Sequence, residues 1–326
     1  MKATAIAPAN IAFIKYWGKK DDALRLPLNS SFSMNLSGAF TTTTVDFSAS
    51  YKKDIIELVD GTFSQKEKER TINHLDTLRH YVGLSIFARV VTKNTFPKGA
   101  GAAASASGFA ALTVAAFASA GKEVSEKELT IFARMGSGSA CRSIPDGFVL
   151  WEYGETSEDS YASSLYPNTY WDLRDILVFV DMSMKKVSTT AGMENVRTSP
   201  FWQERVRGIP VKIQKIKNAF DIKDFSLLGE IIEEDCVNMH AVTMTQKPPL
   251  FYWNETTMKI IQAVEEWRAG GLSVYFTIDA GPNVHLICQA KDEDAVVEKM
   301  KTLSGIEQVI VNKPAQGAHL VEAHLF

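Results

Sequence analysis

The chain has 326 residues with 35 Lys and Arg against 38 Asp and Glu, a formal net charge of −3, and 45% hydrophobic residues. These values exclude intrinsic disorder, and the lack of a basic block argues against electrostatic binding of nucleic acid. Three Cys are too few for a disulfide framework, and residues 1–8 lack the apolar core of a signal peptide. We therefore expect a soluble cytoplasmic protein, long enough for two domains.

The first half of the chain mixes strand and helix patterns. Strands are predicted over residues 3–7, 31–47, 54–59, 84–92, 148–153 and 175–180. Helices are predicted over residues 65–80 and 104–120, and a third begins after Ser125, because Glu128 completes a capping box. The uncharged segment 99–121 is long enough to cross a bilayer, but its many Ala, Gly, Ser and Thr favour close packing inside a protein.

The pattern changes near Asp181, after which amphipathic helices dominate. Helices are predicted over 200–219, 225–239, 255–269 and 292–303, and strands over 273–278, 284–289 and 306–311. This alternation predicts a compact α+β or ferredoxin-like second domain. We therefore divide the chain into domains 1–182 and 183–326, and we expect a ligand site in the cleft between them.

Residues 94–108 form a segment of small residues between a predicted strand and a predicted helix. Glycines ahead of a helix N-terminus can present backbone N–H groups to phosphate, and Ser105 and Ser107 add hydroxyls. Close packing of the helix on a sheet explains the same composition. A Walker loop is excluded, because no Gly-x4-Gly-Lys-Ser/Thr string occurs. A dinucleotide fingerprint at Gly99, Gly101 and Ala104 lacks the second strand that it requires.

Residues 7–19 place two lysines and a tyrosine in a stretch that otherwise reads as buried. In an extended strand, Lys15, Trp17 and Lys19 share one side. The first interpretation is a surface strand with solvated lysines. The second is a pair of cations and the phenol of Tyr16 facing an anionic substrate.

Residues 136–143 and 277–283 complete the segments that carry chemistry. Ser137 and Ser139 offer hydroxyl donors, and Arg142 offers a guanidinium fork for a carboxylate or phosphate; a plain Gly/Ser loop is the alternative. Cys141 has no neighbouring His to generate a thiolate, so it is interpreted as packing. Asp279 ends an apolar strand before Gly-Pro and, taken alone, reads as a turn cap.

No metal-binding set is visible, because the six His show no ligand spacing. No Gly-x-Ser-x-Gly elbow occurs either.

Taken together, these strings resemble the diphosphomevalonate decarboxylase family of the GHMP kinase superfamily. The resemblance rests on segments in the family's order: 10–19, 27–33, 94–108, 136–143, 186–193, 240–241, 248–252 and 279–283. It implies an α+β, two-domain GHMP kinase fold, in which the N-terminal domain resembles domain 2 of ribosomal protein S5 and the C-terminal domain is ferredoxin-like. Homodimers are common in the family, so a homodimer is expected here.

The family implies ATP-dependent decarboxylation of mevalonate 5-diphosphate to isopentenyl diphosphate, with release of CO2, ADP and phosphate. ATP and Mg²⁺ are the implied cofactors, and no nucleic-acid or membrane partner is expected. A decarboxylase acting on the monophosphate and a GHMP kinase that does not decarboxylate remain alternatives. A relative that binds nucleotide without turnover is a further one.

The family also implies roles for individual residues. Asp279 would accept or steer the proton of the substrate hydroxyl, Lys15 would keep Asp279 ionised, and Arg142, helped by Asn10, would hold the substrate carboxylate. Substrate-binding positions are implied at Tyr16, Lys19, Ser137, Ser139, Arg142, Ser188, Thr189 and Met193. ATP-binding positions are implied at Asn94, Pro97, Gly99, Ala100, Gly101, Ala103, Ser105 and Ser107, with Ser105 also close to Mg²⁺.

The sequence departs from the family pattern at several positions. Ala104 stands where the family usually has the first of two serines, and Lys98 with Gly99 replaces a commoner Thr-Ala pair. Asp146 follows the Arg142 segment without a family role. These departures bear on nucleotide affinity and on fine substrate choice.

Overall fold

The protein is described by a computed structural model that covers residues 1–96, 104–183 and 187–326. Its strands are Lys2–Ile14 (β1), Lys19–Asp21 (β2), Leu26–Pro27 (β3), Ser31–Phe47 (β4), Ile55–Leu58 (β5), Ala88–Asn94 (β6), Phe148–Trp151 (β7), Ala162–Tyr166 (β8), Leu173–Phe179 (β9), Val274–Ile278 (β10), Val284–Gln289 (β11), Gln308–Asn312 (β12) and His319–Val321 (β13). Its α-helices are Gln65–Val82 (α1), Ala104–Ser119 (α2), Glu126–Gly136 (α3), Thr189–Gly192 (α4), Trp202–Asp221 (α5), Phe225–Thr245 (α6), Glu255–Ala269 (α7) and Glu293–Met300 (α8).

Two sheets organise the described part of the chain. The larger runs in the order β13-β1-β4-β6-β5, and β7 and β8 extend it from β4. Its pairings are antiparallel except for β5 with β6. The second sheet, in the order β10-β11-β9-β12, is antiparallel throughout. Strand β13 pairs with β1 at the start of the chain, so the C-terminal segment returns to the first sheet.

Helix α2 packs against the first sheet because its side chains are small. Ala110, Ala111 and Ala115 are fully buried, and the helix contacts both β1 and β4. Small side chains let the helix backbone approach the sheet closely, which buries most of α2 inside the protein. None of the helices in the described ranges combines the length and apolar character needed to span a bilayer.

A shared hydrophobic core joins the two sheets. Phe13 and Phe32 of the first sheet belong to the same buried cluster as Leu177 and Ile287 of the second, and Phe220 of α5 lies in it too. Aromatic rings cross the junction: the ring centroids of Phe32 and Phe220 are 5.2 Å apart. Burial of this kind, at roughly 25 cal/mol per Å² of apolar surface, stabilises the two parts as one unit.

Several predicted elements are confirmed. Strand β4, strand β11 and helix α7 have the predicted bounds. Helix α3 begins after Ser125, whose side chain accepts the Glu128 N–H while the Glu128 side chain accepts the Ser125 N–H. The short elements β2, β3, β8, β13 and α4 were not predicted, since segments of two to five residues carry little periodicity.

The predicted extended strand through residues 15–19 is wrong. Strand β1 ends at Ile14, and residues 15–18 have no regular structure before β2 begins at Lys19. Gly18 has φ 101°, which L side chains rarely adopt. Lys15, Trp17 and Lys19 therefore do not share one side of a strand, and their environments differ.

Candidate active site

A cavity of about 440 Å³ lies where the two parts of the chain meet. Its wall is formed by the end of β1, the start of α2, the turn 138–143, helix α4, helix α6 and the segment after β10. This is the usual size and position of a small-molecule site. Among the residues predicted to be functional, the wall includes Lys15, Tyr16, Asn94, Ser105, Ser137, Ser139, Arg142, Ser188, Thr189, Met193 and Asp279.

The ion pair of Lys15 and Asp279 lies at the centre of this wall. Lys15 Nζ donates to Asp279 Oδ1 at 2.6 Å, and the lysine side chain is only 3% exposed. Each residue directly follows an apolar strand, β1 or β10, so the two strand ends bring the charges together. Burial would raise the pKa of Asp279, but Lys15, His285 and Arg142 outweigh it and hold that pKa below its ordinary value. The carboxylate is therefore ionised at neutral pH.

Arg142 lies in the cavity wall and is held from behind by neutral groups. Its Nη2 and Nε donate to Asn10 Oδ1 at 3.0 and 3.3 Å, and its Nη1 donates to Ser31 Oγ at 2.8 Å. Asn10 is fixed in turn by donating to Ser143 Oγ at 2.8 Å. Burial lowers the pKa of Arg142. None of these partners is a carboxylate, so the guanidinium presents its positive charge to the cavity.

Tyr16, Ser137 and Ser139 line the wall next to Arg142. The Tyr16 ring packs on Trp151 with centroids 4.6 Å apart, and burial raises its pKa far above the ordinary value. Gly138 is required here, because a Cβ at this position would lie 2.7 Å from the Tyr16 ring. The hydroxyls of Ser137 and Ser105 are 3.2 Å apart and connect the turn 138–143 with the start of α2.

Helix α4 places three more of the predicted residues at the wall. The Ser188 side chain caps it by accepting the Ala191 N–H at 3.2 Å. Thr189 begins α4, Met193 directly follows it, and both line the cavity. Lys19 is not part of this wall: its Nζ pairs with Asp22 beside β2.

The predicted nucleotide loop is described only in part. Pro97, Gly99, Ala100, Gly101 and Ala103 lie outside the described residues. Asn94 and Ser105, which flank that segment, both line the cavity.

Ser107 does not reach the cavity. It is fully buried, and its Oγ lies 2.7 Å from Thr41 Oγ1 on β4. Its hydroxyl therefore joins α2 to the first sheet.

Three charged residues at the wall were missed from the sequence: Arg25, Glu67 and Arg70. Arg25, at φ 51°, donates from Nε to Met135 O at 2.8 Å. Arg70 donates from Nη2 to Gly136 O at 2.8 Å and lies over the Phe109 ring. Burial, with Arg25 nearby, lowers the pKa of Arg70 to about 10. The run of charges in residues 66–70 reads as a solvated helix face, and no local signal distinguishes the two that face the cavity.

Cys141 and Asp146, which the sequence analysis also considered, are not part of the cavity wall. Cys141 is fully buried, and burial raises its pKa to about 12, so it is a neutral thiol, as predicted. Asp146 Oδ2 accepts the Asn168 N–H at 3.1 Å and braces a loop away from the cavity. Within the described ranges, no group of three or more His, Cys, Asp or Glu side chains has the arrangement of a metal site.

The two-sheet architecture and the cation-rich cavity define a protein that binds anionic small molecules. Residues 7–162 match the model of the diphosphomevalonate decarboxylase-like N-terminal domain, and residues 176–322 match that of the mevalonate 5-diphosphate decarboxylase C-terminal domain. The chain is 37% identical over 316 residues to the diphosphomevalonate decarboxylase of Debaryomyces hansenii. The matched region covers 90% of this chain and 81% of the relative. The chain therefore belongs to the diphosphomevalonate decarboxylase family.

Solved structures agree over almost the whole chain. The mevalonate diphosphate decarboxylase of Staphylococcus aureus is 38% identical, with a TM-score of 0.94 and coverage of 98% of each chain. A structure of MDDEF in complex with MVAPP, AMPPCP and magnesium is 36% identical, with a TM-score of 0.93 and coverage of 99% of each chain. These similarities confirm the two-domain GHMP kinase fold predicted from the sequence.

Proposed function

We propose that the chain catalyses the ATP-dependent decarboxylation of mevalonate 5-diphosphate to isopentenyl diphosphate, with release of CO2, ADP and phosphate. The observation that carries this proposal is the convergence of Lys15, Asp279 and Arg142 on one cavity. The substrate is a tertiary alcohol that also carries a carboxylate. Its reaction needs a protein carboxylate to take the hydroxyl proton, an ammonium beside that carboxylate, and a guanidinium to hold the carboxylate of the substrate. The family membership and the ligands of MDDEF support the same substrate pair.

The charges of the wall suit two phosphorylated ligands. Among the described residues of the wall, Lys15, Arg25, Arg70 and Arg142 supply four cations against the carboxylates of Glu67 and Asp279. This surplus favours a triphosphate and a diphosphate bound side by side. Helix α2 starts at the wall with no acidic residue in its first turn, so its N-terminal end also favours phosphate.

The chemistry starts at the tertiary hydroxyl of the substrate. The Asp279 carboxylate accepts the hydroxyl proton as the oxygen attacks the terminal phosphorus of ATP. Lys15 holds Asp279 ionised and offsets negative charge on the transferred group. When the new phosphate leaves, positive charge develops on the carbon, and the electron pair released with CO2 forms the double bond.

The substrate carboxylate needs a fixed cation until CO2 departs. Arg142 takes this role, since Asn10 and Ser31 fix its guanidinium through neutral oxygens. Tyr16, Ser137, Ser139, Ser188, Thr189 and Met193 are proposed to surround the substrate. Lys19 lies outside the cavity wall, and its ammonium pairs with Asp22. It is therefore proposed to influence the substrate diphosphate without contacting it directly.

The donor set at the nucleotide end fits Mg²⁺ carried on ATP. The hydroxyl of Ser105 is a hard oxygen ligand at the cavity wall, whereas Glu67 accepts from Ser64 and Asp279 accepts from Lys15. Phosphate oxygens of ATP would supply further ligands. When bound with ATP, Mg²⁺ neutralises charge that builds up on the phosphates. Asn94 and Ser105 are proposed to contact the nucleotide, together with the predicted positions Pro97, Gly99, Ala100, Gly101 and Ala103. Ser107 is proposed to support the start of α2 from behind.

Two domains, a homodimer and a cytoplasmic location are also part of this proposal. The near-neutral charge, the free cysteines and the family support it. The boundary predicted at 182/183 is proposed to lie before β9 instead, because β9 pairs only with strands of the second sheet. Sedimentation of the purified protein at micromolar concentration tests the dimer, because a single species of 36.0 kDa would contradict it.

One assay tests the function. The protein is incubated with ATP, Mg²⁺ and mevalonate 5-diphosphate while ADP and CO2 are measured together, and one CO2 for each ADP is expected. ADP without CO2 would indicate a kinase. Faster turnover of the monophosphate in a parallel reaction would indicate the sister decarboxylase. If neither ADP nor CO2 is formed, the proposal is contradicted.

A further inference from the structure

Helix α6 faces the Lys15–Asp279 pair with four residues on one face. Asp235, Cys236, Met239 and His240 lie one helical turn apart on a single buried face, and each is at most 1% exposed. Met239 lines the cavity. The other three side chains make polar contacts to main-chain groups at the ends of β1 and β10.

The first contact holds the main chain of Lys15. Because β1 ends at Ile14, the peptide groups of Lys15 have no strand partner. The Lys15 N–H donates to Asp235 Oδ2 at 2.7 Å. The Lys15 carbonyl accepts from Arg205 Nη2 at 3.1 Å, and Arg205 Nη1 donates to Asp235 Oδ1 at 3.0 Å. Asp235 and Arg205 are fully buried, so this ion pair closes a rigid ring around the residue.

The second contact holds the residue before Asp279. Strand β10 is the outer strand of its sheet, so one side of its backbone lacks a strand partner. There the Ile278 N–H donates to Cys236 Sγ at 3.2 Å, and the Ile278 carbonyl accepts from His240 Nε2 at 3.2 Å. Burial lowers the pKa of His240 to about 3. The imidazole is therefore neutral with its proton on Nε2, because a carbonyl can only accept.

We propose that α6 positions the catalytic ion pair, with Asp235 and His240 as positioning residues that fix the main chain of Lys15 and of Ile278. The inference rests on the proposed function. Both ends of the 2.6 Å contact between Lys15 Nζ and Asp279 Oδ1 are tied to adjacent turns of one helix. A misplacement of about 1 Å in such a pair can cost about 100-fold in rate, so contacts to the main chain of Lys15 and Ile278 can control the rate.

His240 offers the sharpest test, since its removal leaves no buried charge unpaired. His240→Phe keeps the ring volume and removes the Nε2 donor, whereas His240→Gln can keep an N–H donor at the same reach. We expect kcat to fall at least about tenfold in His240→Phe, with KM for both substrates changed less than about threefold. His240→Gln should restore most of kcat. Equal kcat in the two variants would overturn the proposal.

Cys288→Ala is the matched stability control, because Cys288 is fully buried on β11 and is not part of the cavity wall. Its thermal unfolding should shift as in His240→Phe, while kcat stays at the wild-type value. If Cys288→Ala loses as much kcat as His240→Phe, the loss reports general destabilisation and the proposal fails.

The pH profile of kcat distinguishes a positioning role of His240 from a role in stability alone, because a loss of stability alone would not shift the profile. The charged and titratable groups around Asp279 are Lys15 just after β1, Arg142 from the turn 138–143, His285 from β11 and His240 from α6. If the ammonium of Lys15 moves away, the acid limb of the kcat profile should shift to higher pH in His240→Phe and return in His240→Gln. An acid limb that stays in place in His240→Phe would contradict the proposal.

A crystal structure of His240→Phe without ligands separates this inference from the proposed function. The distance between Lys15 Nζ and Asp279 Oδ1 should exceed hydrogen-bonding range, about 3.5 Å. A distance unchanged from the 2.6 Å of the parent would overturn the positioning role. Failure of the parent protein to turn over mevalonate diphosphate would overturn the proposed function alone, because this distance does not depend on substrate.

Discussion

At the scale of single residues, burial and neighbouring charge set the chemistry of the site. Asp279 and Lys15 lie 264 positions apart and yet form a direct ion pair. A buried carboxylate alone would tend to be neutral, and the ammonium beside it reverses that tendency. The pair therefore presents a proton acceptor that is ionised across the physiological pH range.

Removing the carboxylate tests its role in proton transfer. We expect Asp279→Asn to lower kcat by about 10²–10⁴-fold, since one positioned proton acceptor is lost. Substrate binding, measured by calorimetry, should persist because Arg142 and the hydroxyls are retained. Asp294→Asn, an exposed change on α8, serves as the control. Near-normal turnover of Asp279→Asn would remove Asp279 from the mechanism.

The pH dependence follows from the lowered pKa of Asp279. Because its pKa is lowered from the ordinary value of 3.8, the Asp279 carboxylate is ionised at any pH above 3.8. Activity is lost only as the pH falls through the lowered pKa. Burial is the largest opposing effect, so Lys15→Met should raise this pKa. The acid limb of kcat/KM should then move to higher pH, as rate profiles at different pH would show. Lys20→Met, which breaks a surface pair with Glu155, should leave the limb in place.

At the scale of elements, local signals determine where helices begin. Helices α1 and α3 each begin with a capping box, at Ser64 and Ser125. Each box satisfies backbone N–H groups that the first turn leaves without partners. Helix α2 instead begins at the cavity, and its small side chains determine how closely it packs on the sheet.

The capping box of α3 can be tested separately from catalysis. Ser125→Ala should lower the free energy of unfolding by about 1 kcal/mol, because the Glu128 N–H loses its side-chain acceptor. Ser125→Asp keeps an acceptor and should retain most of the stability. Urea unfolding measures both variants. A change in kcat larger than about twofold in Ser125→Ala would show that α3 reaches the site more directly than its contacts indicate.

At the scale of the whole molecule, the cavity exists because two sheets share one core. Strand β9 is the first strand of the second sheet along the chain, and β13 returns to pair with β1 of the first sheet. Phe13 at the end of β1 and Tyr275 on β10 belong to the same buried cluster. The strand ends that carry Lys15 and Asp279 are therefore held by a common hydrophobic contact.

Ligand binding should stabilise the folded protein as a whole. A ligand at about 100 times its Kd adds about 2.7 kcal/mol to the free energy of unfolding, and for a chain of this size that raises Tm by several degrees. We expect this shift in Asp279→Asn with ATP, Mg²⁺ and mevalonate diphosphate, where turnover is blocked. Differential scanning fluorimetry measures it. NAD in place of these ligands should leave Tm unchanged, and a shift with NAD would favour a dinucleotide site.

Much of the fold and part of the candidate site were predictable from the sequence. The bounds of β4, β11 and α7 follow from periodicity and capping, which act over a few residues. Predictions failed where tertiary contacts decide the backbone, as at Lys15, whose peptide groups bind Asp235, Arg205 and Asn29 instead of a neighbouring strand.

The amino-acid order specified which residue types were available, namely an apolar strand ending in Asp279, a Gly/Ser turn before Arg142, and the family's strings in their order. It could not reveal that Ser107 points away from the cavity, that Arg25 and Arg70 face it, or that α6 grips both strand ends. Those features arise from contacts between segments far apart in the chain, and their energies depend on burial and distance that no local pattern encodes.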